Sequence, residues 1–322
     1  MITKRIDLWK PEEYTYPLGF GFIPNIMTVL HEDDITRPAM LVVPGGAYMF
    51  CSPSEARIVA NRFYRFGFNC FVLTYTVNTL QTAPVRDQAL RDASRAIRMI
   101  RRDAADFHVD AGRVAIVGFS AGGHLSASVC TLFNTVQEDD PTLAAFSNRP
   151  DAAVLSYPVI TAGKYTHQGS ADALLGFNPS EEDIAYWSLE NQVTENTPPT
   201  FLWHTITDEA VPVENSLMYE AALRAHGVPH AMHLFSEGRH GLSLADEAWA
   251  SGIFGDPHTL EPTLKQTAAV IDGTVTLPPE RMENFLQWKD AHNMEWRETI
   301  HPEVMVWPEL ARDFLKARGI LK

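Results

Sequence analysis

The chain has 322 residues, of which 45% are hydrophobic and 20% charged, and a formal net charge of −14. This is an ordinary globular composition, with enough length for one large α/β domain with a buried core or for two small ones. So acidic a balance argues against nucleic acid or an anionic membrane surface as partner, since both demand basic patches.

No stretch approaches the roughly 20 apolar residues of a membrane span. Residues 1–9 carry Lys4, Arg5 and Asp7 and no apolar run, so no signal peptide is expected. The three cysteines, Cys51, Cys70 and Cys130, cannot all pair. Together these features predict a cytoplasmic protein, although a chain stripped of its leader would read the same.

In chain order, residues 2–8 and 25–30 read as short leading strands, separated by a Pro/Gly-rich turn at 17–24. Residues 39–43 (Ala-Met-Leu-Val-Val) form an unbroken apolar run, as a strand buried on both faces requires. Helical spacing through Ile58, Val59, Arg62 and Phe63 predicts a helix over 54–66, stopped by Gly67. A strand over 68–75 follows. Pro84 opens a long amphipathic helix over 85–107, with Ala89, Ala93, Ala96, Ile97 and Ile100 on one stripe. A strand at 113–117 and a helix at 121–133 flank Gly118-Phe119-Ser120-Ala121-Gly122. Further strands are expected at 152–157, 200–204 and 230–235, with helices at 213–226 and 308–320.

Alternating strands and helices without an internal repeat imply a mostly parallel sheet covered on both faces. Two stretches fit poorly. Residues 160–199 read as polar loops, and 245–302 as an insertion over the sheet top, a lid or a subunit contact, which leaves a homo-oligomer open. The whole chain, 1–322, is taken as one domain.

The chemistry gathers around Ser120. A serine in a sharp strand-to-helix turn needs small neighbours two positions away, and Gly118 and Gly122 supply them. The turn lifts the hydroxyl out of the sheet top and leaves the Ala121 N–H facing a developing oxyanion. A serine nucleophile needs a base, and the base an acid partner that fixes its tautomer. Asp208 follows the 200–204 strand, and His240 sits between Gly238 and Gly241 after the 230–235 strand. Both therefore fall at the carboxyl ends of strands, where such sheets build their sites. Glu209 and Glu214 stand as alternatives to Asp208. The second oxyanion donor is expected from Pro44-Gly45-Gly46-Ala47, with Gly46 preferred over Ala47.

Of the other histidines, His230 and His233 lie three apart on a strand and so on opposite faces, as structural residues do. His124 follows the glycines on a helix, where its ring can bond a neighbouring strand. No metal constellation is present: there is no Cys-x-x-Cys or His-Glu-x-x-His, and Gly227 and Pro229 break any helix joining His226 to His230. Neither a cofactor nor a nucleotide fingerprint is expected, since the Gly118–Gly122 turn lacks the P-loop lysine.

These residues resemble an α/β-hydrolase-fold serine esterase. More closely, the chain is similar to the bacterial acetyl-xylan-esterase-like carbohydrate acetyl esterases, the endo-xylanase- or dienelactone-hydrolase-like group. The resemblance is carried by residues 43–48 (Val-Pro-Gly-Gly-Ala-Tyr), 73–75 (Leu-Thr-Tyr), 118–125, 197–205, 208–216 and 238–242, and by the closing helix at 307–315. It implies Ser120 as nucleophile, Asp208 as acid partner and His240 as base. It further implies an acetylated carbohydrate as the small-molecule substrate, whose acetyl group is removed through an acyl-enzyme. Two departures are a long 245–302 stretch and Ala47 in place of a third glycine, whose methyl group narrows the site. Ala47, Tyr48, Tyr157, Trp187 and His204 are candidates for lining the substrate cleft. A serine peptidase or a longer-chain lipase of the same fold is the nearest alternative; a binding protein that has lost catalysis is more remote, since none of Ser120, Asp208 and His240 is missing.

Overall fold

The computed structural model describes residues 1–291 and 296–322. Its centre is an eight-stranded sheet: β1 (Arg5–Asp7), β2 (Asn25–Val29), β3 (Arg37–Val43), β4 (Asn69–Thr74), β5 (Val109–Phe119), β6 (Ala152–Ser156), β7 (Thr200–Thr205) and β8 (His230–Phe235). The order is β1-β2-β4-β3-β5-β6-β7-β8. The β1–β2 and β2–β4 pairs are antiparallel, and every pair from β4–β3 to β7–β8 is parallel. The fold is that of an α/β-hydrolase.

The apolar strands segregate by the two-residue period of a pleated strand. In β3, Ala39, Leu41 and Val43 face one core, while Met40 and Val42 face the other. Val114 and Ile116 of β5 join the first core, and Ala115, Val117 and Phe119 the second. Helices cover both faces: α1 (Arg57–Arg65), α2 (Asp87–Arg102) and α3 (Ser120–Leu132), then the short α4 (Pro141–Ala144). After β6 come α5 (Gln168–Leu175) and α6 (Glu181–Tyr186), and α7 (Glu214–Ala225) links β7 to β8. The chain ends on α8 (Glu247–Ala250), α9 (Glu261–Ile271), α10 (Pro279–Ala291) and α11 (Trp307–Ala317). α11 buries Trp307, Ala311 and Leu315, spaced by four, against the second core.

Two expectations need correction. The long helix is shorter than 85–107: α2 closes at Arg102, the segment to His108 turns back, and β5 begins at Val109 rather than 113. Residues 160–199 are not loop alone. They hold α5 and α6, the latter started by a capping box between Ser180 and Asp183. The 245–302 stretch is tied to the body of the fold by side-chain hydrogen bonds. Gln266 on α9 accepts from the Thr79 N–H at 2.8 Å and donates to the Val77 carbonyl at 2.7 Å, and Thr263 reaches the Met49 carbonyl. No helix among the described residues is long and apolar enough to cross a membrane.

Candidate active site

The parallel order reverses beside β3: the chain runs out to β4, then crosses to β5 on the other side. Loops leaving the carboxyl ends of β3 and β5 therefore diverge and open a crevice, the usual ligand position in such sheets. Ser120 stands there with a positive φ of 52°. Two glycines make its turn sterically feasible. A side chain at Gly118 would run into the Gly122 carbonyl and Ser126, and one at Gly122 into the carbonyls of Val43 and Pro44. The first turn of α3 thus lies directly on the loop after β3.

His240 and Asp208 converge on Ser120. Ser120 Oγ lies 2.8 Å from His240 Nε2, and His240 Nδ1 lies 2.7 Å from Asp208 Oδ2. A carboxylate only accepts, so Nδ1 carries the proton and Nε2 is left to accept from the serine hydroxyl. The His240 loop is tied back to the end of β7 and the turn after it: Thr205 Oγ1 donates to the Gly238 carbonyl at 2.9 Å and the Gly238 N–H donates to Thr207 Oγ1 at 2.9 Å.

Asp208 is buried, with its side chain sealed from solvent. Burial alone would raise its pKa. Hydrogen bonds from His204 and His240, the charge of His240 and the Val211 N–H outweigh that penalty and hold the carboxyl below the ordinary range. The Ala210 and Val211 amides donate to Oδ1 at 3.0 and 2.9 Å.

The loop after β3 lies beside the nucleophile: a Cβ placed on Gly45 would sit 2.9 Å from Ser120 Cβ and 2.6 Å from the Phe119 carbonyl oxygen. The Gly45 N–H is engaged, donating to Glu55 Oε2 at 2.7 Å. The next two amides, Gly46 and Ala47, have no protein acceptor among the described residues. Gly46 adopts a φ of 121°, and a side chain there would strike the Phe50 carbonyl. Ala121 lies in the first turn of α3, where amides lack an intrahelical acceptor.

The residues suggested for the cleft lining divide. Tyr48, Trp187 and His204 are buried and make contacts within the protein. Tyr48 O–H meets His124 Nδ1 at 2.8 Å, and His124 Nε2 donates to the Trp187 carbonyl at 2.9 Å. Burial pushes the His124 pKa down to about 4, so this ring is an uncharged strut between the oxyanion loop and the 160–199 stretch. His204 Nε2 donates to the Val211 carbonyl at 3.0 Å and lies 3.3 Å from Asp208 Oδ2, while Nδ1 accepts from Ser216. It therefore supports Asp208 from behind. Tyr157 is also buried, yet its ring meets the His240 ring edge-on at 5.0 Å. Ala47 stays partly exposed at the crevice, with φ 56°.

Two residues that the sequence patterns did not flag stand close by. Glu55 is one. His167 is the other: its ring lies nearly parallel to that of His240, 6.5 Å between centroids, and its Nδ1 accepts the Ser170 N–H as it caps α5. Burial, then the charge of His240, lowers its pKa, so it presents a neutral ring with the proton on Nε2. Neither could be found from spacing, because one is an acidic residue at a helix start and the other a helix cap. Among the described residues, no group of three or more His, Cys, Asp or Glu is arranged to hold a metal.

Comparisons with known proteins bear on the family and the fold. The BD-FAE family profile matches residues 28–223. The chain is 44% identical over 266 residues to endo-1,4-beta-xylanase B of Butyrivibrio fibrisolvens, covering 83% of this chain and 42% of that protein. It is 29% identical over 251 residues to an acetylxylan esterase of Xylanibacter ruminicola, covering 76% of this chain and 49% of that one. The chain thus spans less than half the length of these two relatives. Among solved structures, an acetyl ester-xyloside bifunctional hydrolase from Caldicellulosiruptor lactoaceticus superposes with a TM-score of 0.71 at 36% identity, over 85% of this chain and 97% of that one. The carboxylesterase Cest-2923 from Lactobacillus plantarum, at 24% identity and a TM-score of 0.69 over 100% of this chain and 99% of that one, shares the fold.

Proposed function

The chain belongs to the BD-FAE family and has the α/β-hydrolase fold, and from that premise we propose that it is a serine carboxylesterase that removes acetyl groups from sugars or short oligosaccharides. One observation carries the catalytic half of this reading: Ser120, His240 and Asp208 are joined by hydrogen bonds of 2.8 and 2.7 Å in the order nucleophile, base, acid. The carbohydrate half is supported by the xylan-related names of the relatives and of the similar structure.

In this mechanism His240 Nε2 takes the hydroxyl proton as Ser120 Oγ attacks the acetyl carbonyl. Asp208 holds the tautomer and stabilises the imidazolium that forms. The Gly46 and Ala121 N–H groups receive the oxyanion, with the Ala47 amide next in line. His240 then gives its proton to the departing sugar oxygen and activates the water that releases acetate from Ser120.

The test is acetate release from acetylated xylo-, manno- and cello-oligosaccharides, with 4-nitrophenyl acetate and 4-nitrophenyl octanoate alongside, for wild type and Ser120→Ala. The expected result is release from at least one sugar set, lost in the variant, with little turnover of octanoate. Turnover of octanoate alone would replace this reading with a lipase-like one.

A further inference from the structure

Glu55 carries a carboxylate into the interior between the two loops that hold opposite halves of the site. It is 4% exposed, and no Lys or Arg among the described residues pairs with it. A buried carboxylate without a cationic partner is costly unless its oxygens are well supplied with donors. Glu55 has donors on both oxygens. Oε2 accepts the Gly45 N–H at 2.7 Å, one residue before the preferred oxyanion donor. Oε1 accepts the Tyr157 O–H at 2.6 Å.

From Tyr157 the connection continues to the base. The phenol oxygen accepts the Ser243 N–H at 2.9 Å, three residues beyond His240. Ser243 Oγ donates to the Ser54 carbonyl at 2.6 Å, so the loop is held from both sides of the Glu55 turn. The Tyr157 ring forms the wall against which His240 packs. The phenol has one proton, and only with its O–H directed at Glu55 Oε1 are all four groups satisfied at once.

The backbone around this network is strained. Ala47 (φ 56°), Tyr48 (57°), Ser120 (52°), Tyr157 (36°) and Ser243 (48°) all occupy the left-handed region without being glycine. Such conformations persist only where the surroundings over-determine them. Hydrogen bonds to a carboxylate are shorter and stronger than those to a neutral acceptor, which suits them to that task.

We propose that Glu55 is a positioning residue that clamps the oxyanion loop and the His240 loop in register with Ser120, through Gly45 on one side and Tyr157 on the other. This rests on the roles given above to Ser120, His240 and the Gly46 amide. An oxyanion forms only after attack, so loosening the clamp weakens transition-state binding and leaves ground-state binding alone. Glutamine at position 55 still offers an acceptor to Gly45 but points an N–H₂ at a phenol that needs an acceptor.

The experiment compares wild type, Glu55→Gln, Tyr157→Phe and the double variant on 4-nitrophenyl acetate. The inhibition constant of a small boronic acid, which forms a tetrahedral adduct on a catalytic serine, is measured for each. Each single variant is expected to lose about 10–100-fold in kcat, less than the 10²–10³ of deleting an oxyanion donor outright. KM stays within about twofold. The boronate constant rises by the factor that kcat/KM falls, and the double variant loses little more than the worse single one. If Glu55→Gln does not fold, Tyr157→Phe, which leaves the carboxylate in place, decides by its kcat and boronate constant. A kcat within about twofold of wild type in the folded variants, or a double variant whose loss is the product of the two single losses, would overturn the proposal. Ser120→Ala separates the two readings: if it retains full turnover, the assignment of the site itself falls, whereas an inactive Ser120→Ala beside an unimpaired Glu55→Gln removes the clamp alone.

Discussion

Two buried carboxylates flank the His240 loop, and the protein treats them oppositely. Asp208 is supplied by two histidines and two backbone amides, which outweigh burial and hold its pKa below the usual carboxylate range. Glu55 is also buried but has only two donors; there burial prevails over the Tyr157 and Gly45 hydrogen bonds, and its pKa is raised. The difference lies in what each must do. A residue that stabilises a developing imidazolium needs its charge secured at every working pH. One that orients neutral donors needs only acceptor oxygens in the right place.

The largest effect that would sharpen this contrast is at Asp208. Asp208→Asn keeps the shape but invites the wrong imidazole tautomer, and kcat is expected to fall by about 10⁴ with the fold intact. Steady-state kinetics beside circular dichroism would check it. A loss no larger than that of Glu55→Gln would break the distinction between an electrostatic and a positioning carboxylate.

A smaller effect lies in the pH dependence of stability. Asp208, with its depressed pKa, stabilises the fold above the unfolded value of about 4, and that contribution is lost as pH falls through the folded value. Glu55, with its raised pKa, contributes fully below the unfolded value of about 4.3 and loses that contribution as pH rises through the folded value. The melting-temperature gap between wild type and Asp208→Asn should therefore narrow from about pH 5 to pH 3. Relative to Glu55→Gln, wild type should lose ground from about pH 4 upward. Thermal melts of both variants across this range would show slopes of opposite sign; parallel slopes would contradict the assignment.

The contrast extends to legibility. Asp208 could be found in the sequence because it follows an apolar strand and sits in the chain order of Ser120 and His240. Glu55 could not, because an acidic residue in the first turn of a helical segment is what the helix dipole alone would select. The sheet was readable for a related reason: strands buried on both faces, such as Leu41-Val42-Val43 and Ile116-Val117, leave little room for another reading. The Ala-rich stripe of α2 ran on through Ala104 and Phe107, and nothing local marked the turn at Asp103. The burial of the aromatic cleft candidates could not be read from the sequence. His124 holds the Tyr48 hydroxyl on one ring nitrogen and the Trp187 backbone carbonyl on the other, contacts that no sequence spacing records. The 245–302 stretch hid its helices because its anchors are polar, Gln266 and Thr263, and hydrophobic spacing does not record them.

The central claim is that Ser120 is an activated nucleophile, and covalent labelling tests it most directly. Intact mass and peptide mapping after exposure to a fluorophosphonate should show one adduct per chain, on Ser120, abolished in His240→Ala as well as Ser120→Ala. No adduct on the folded wild type, or an adduct on another residue, would contradict the account.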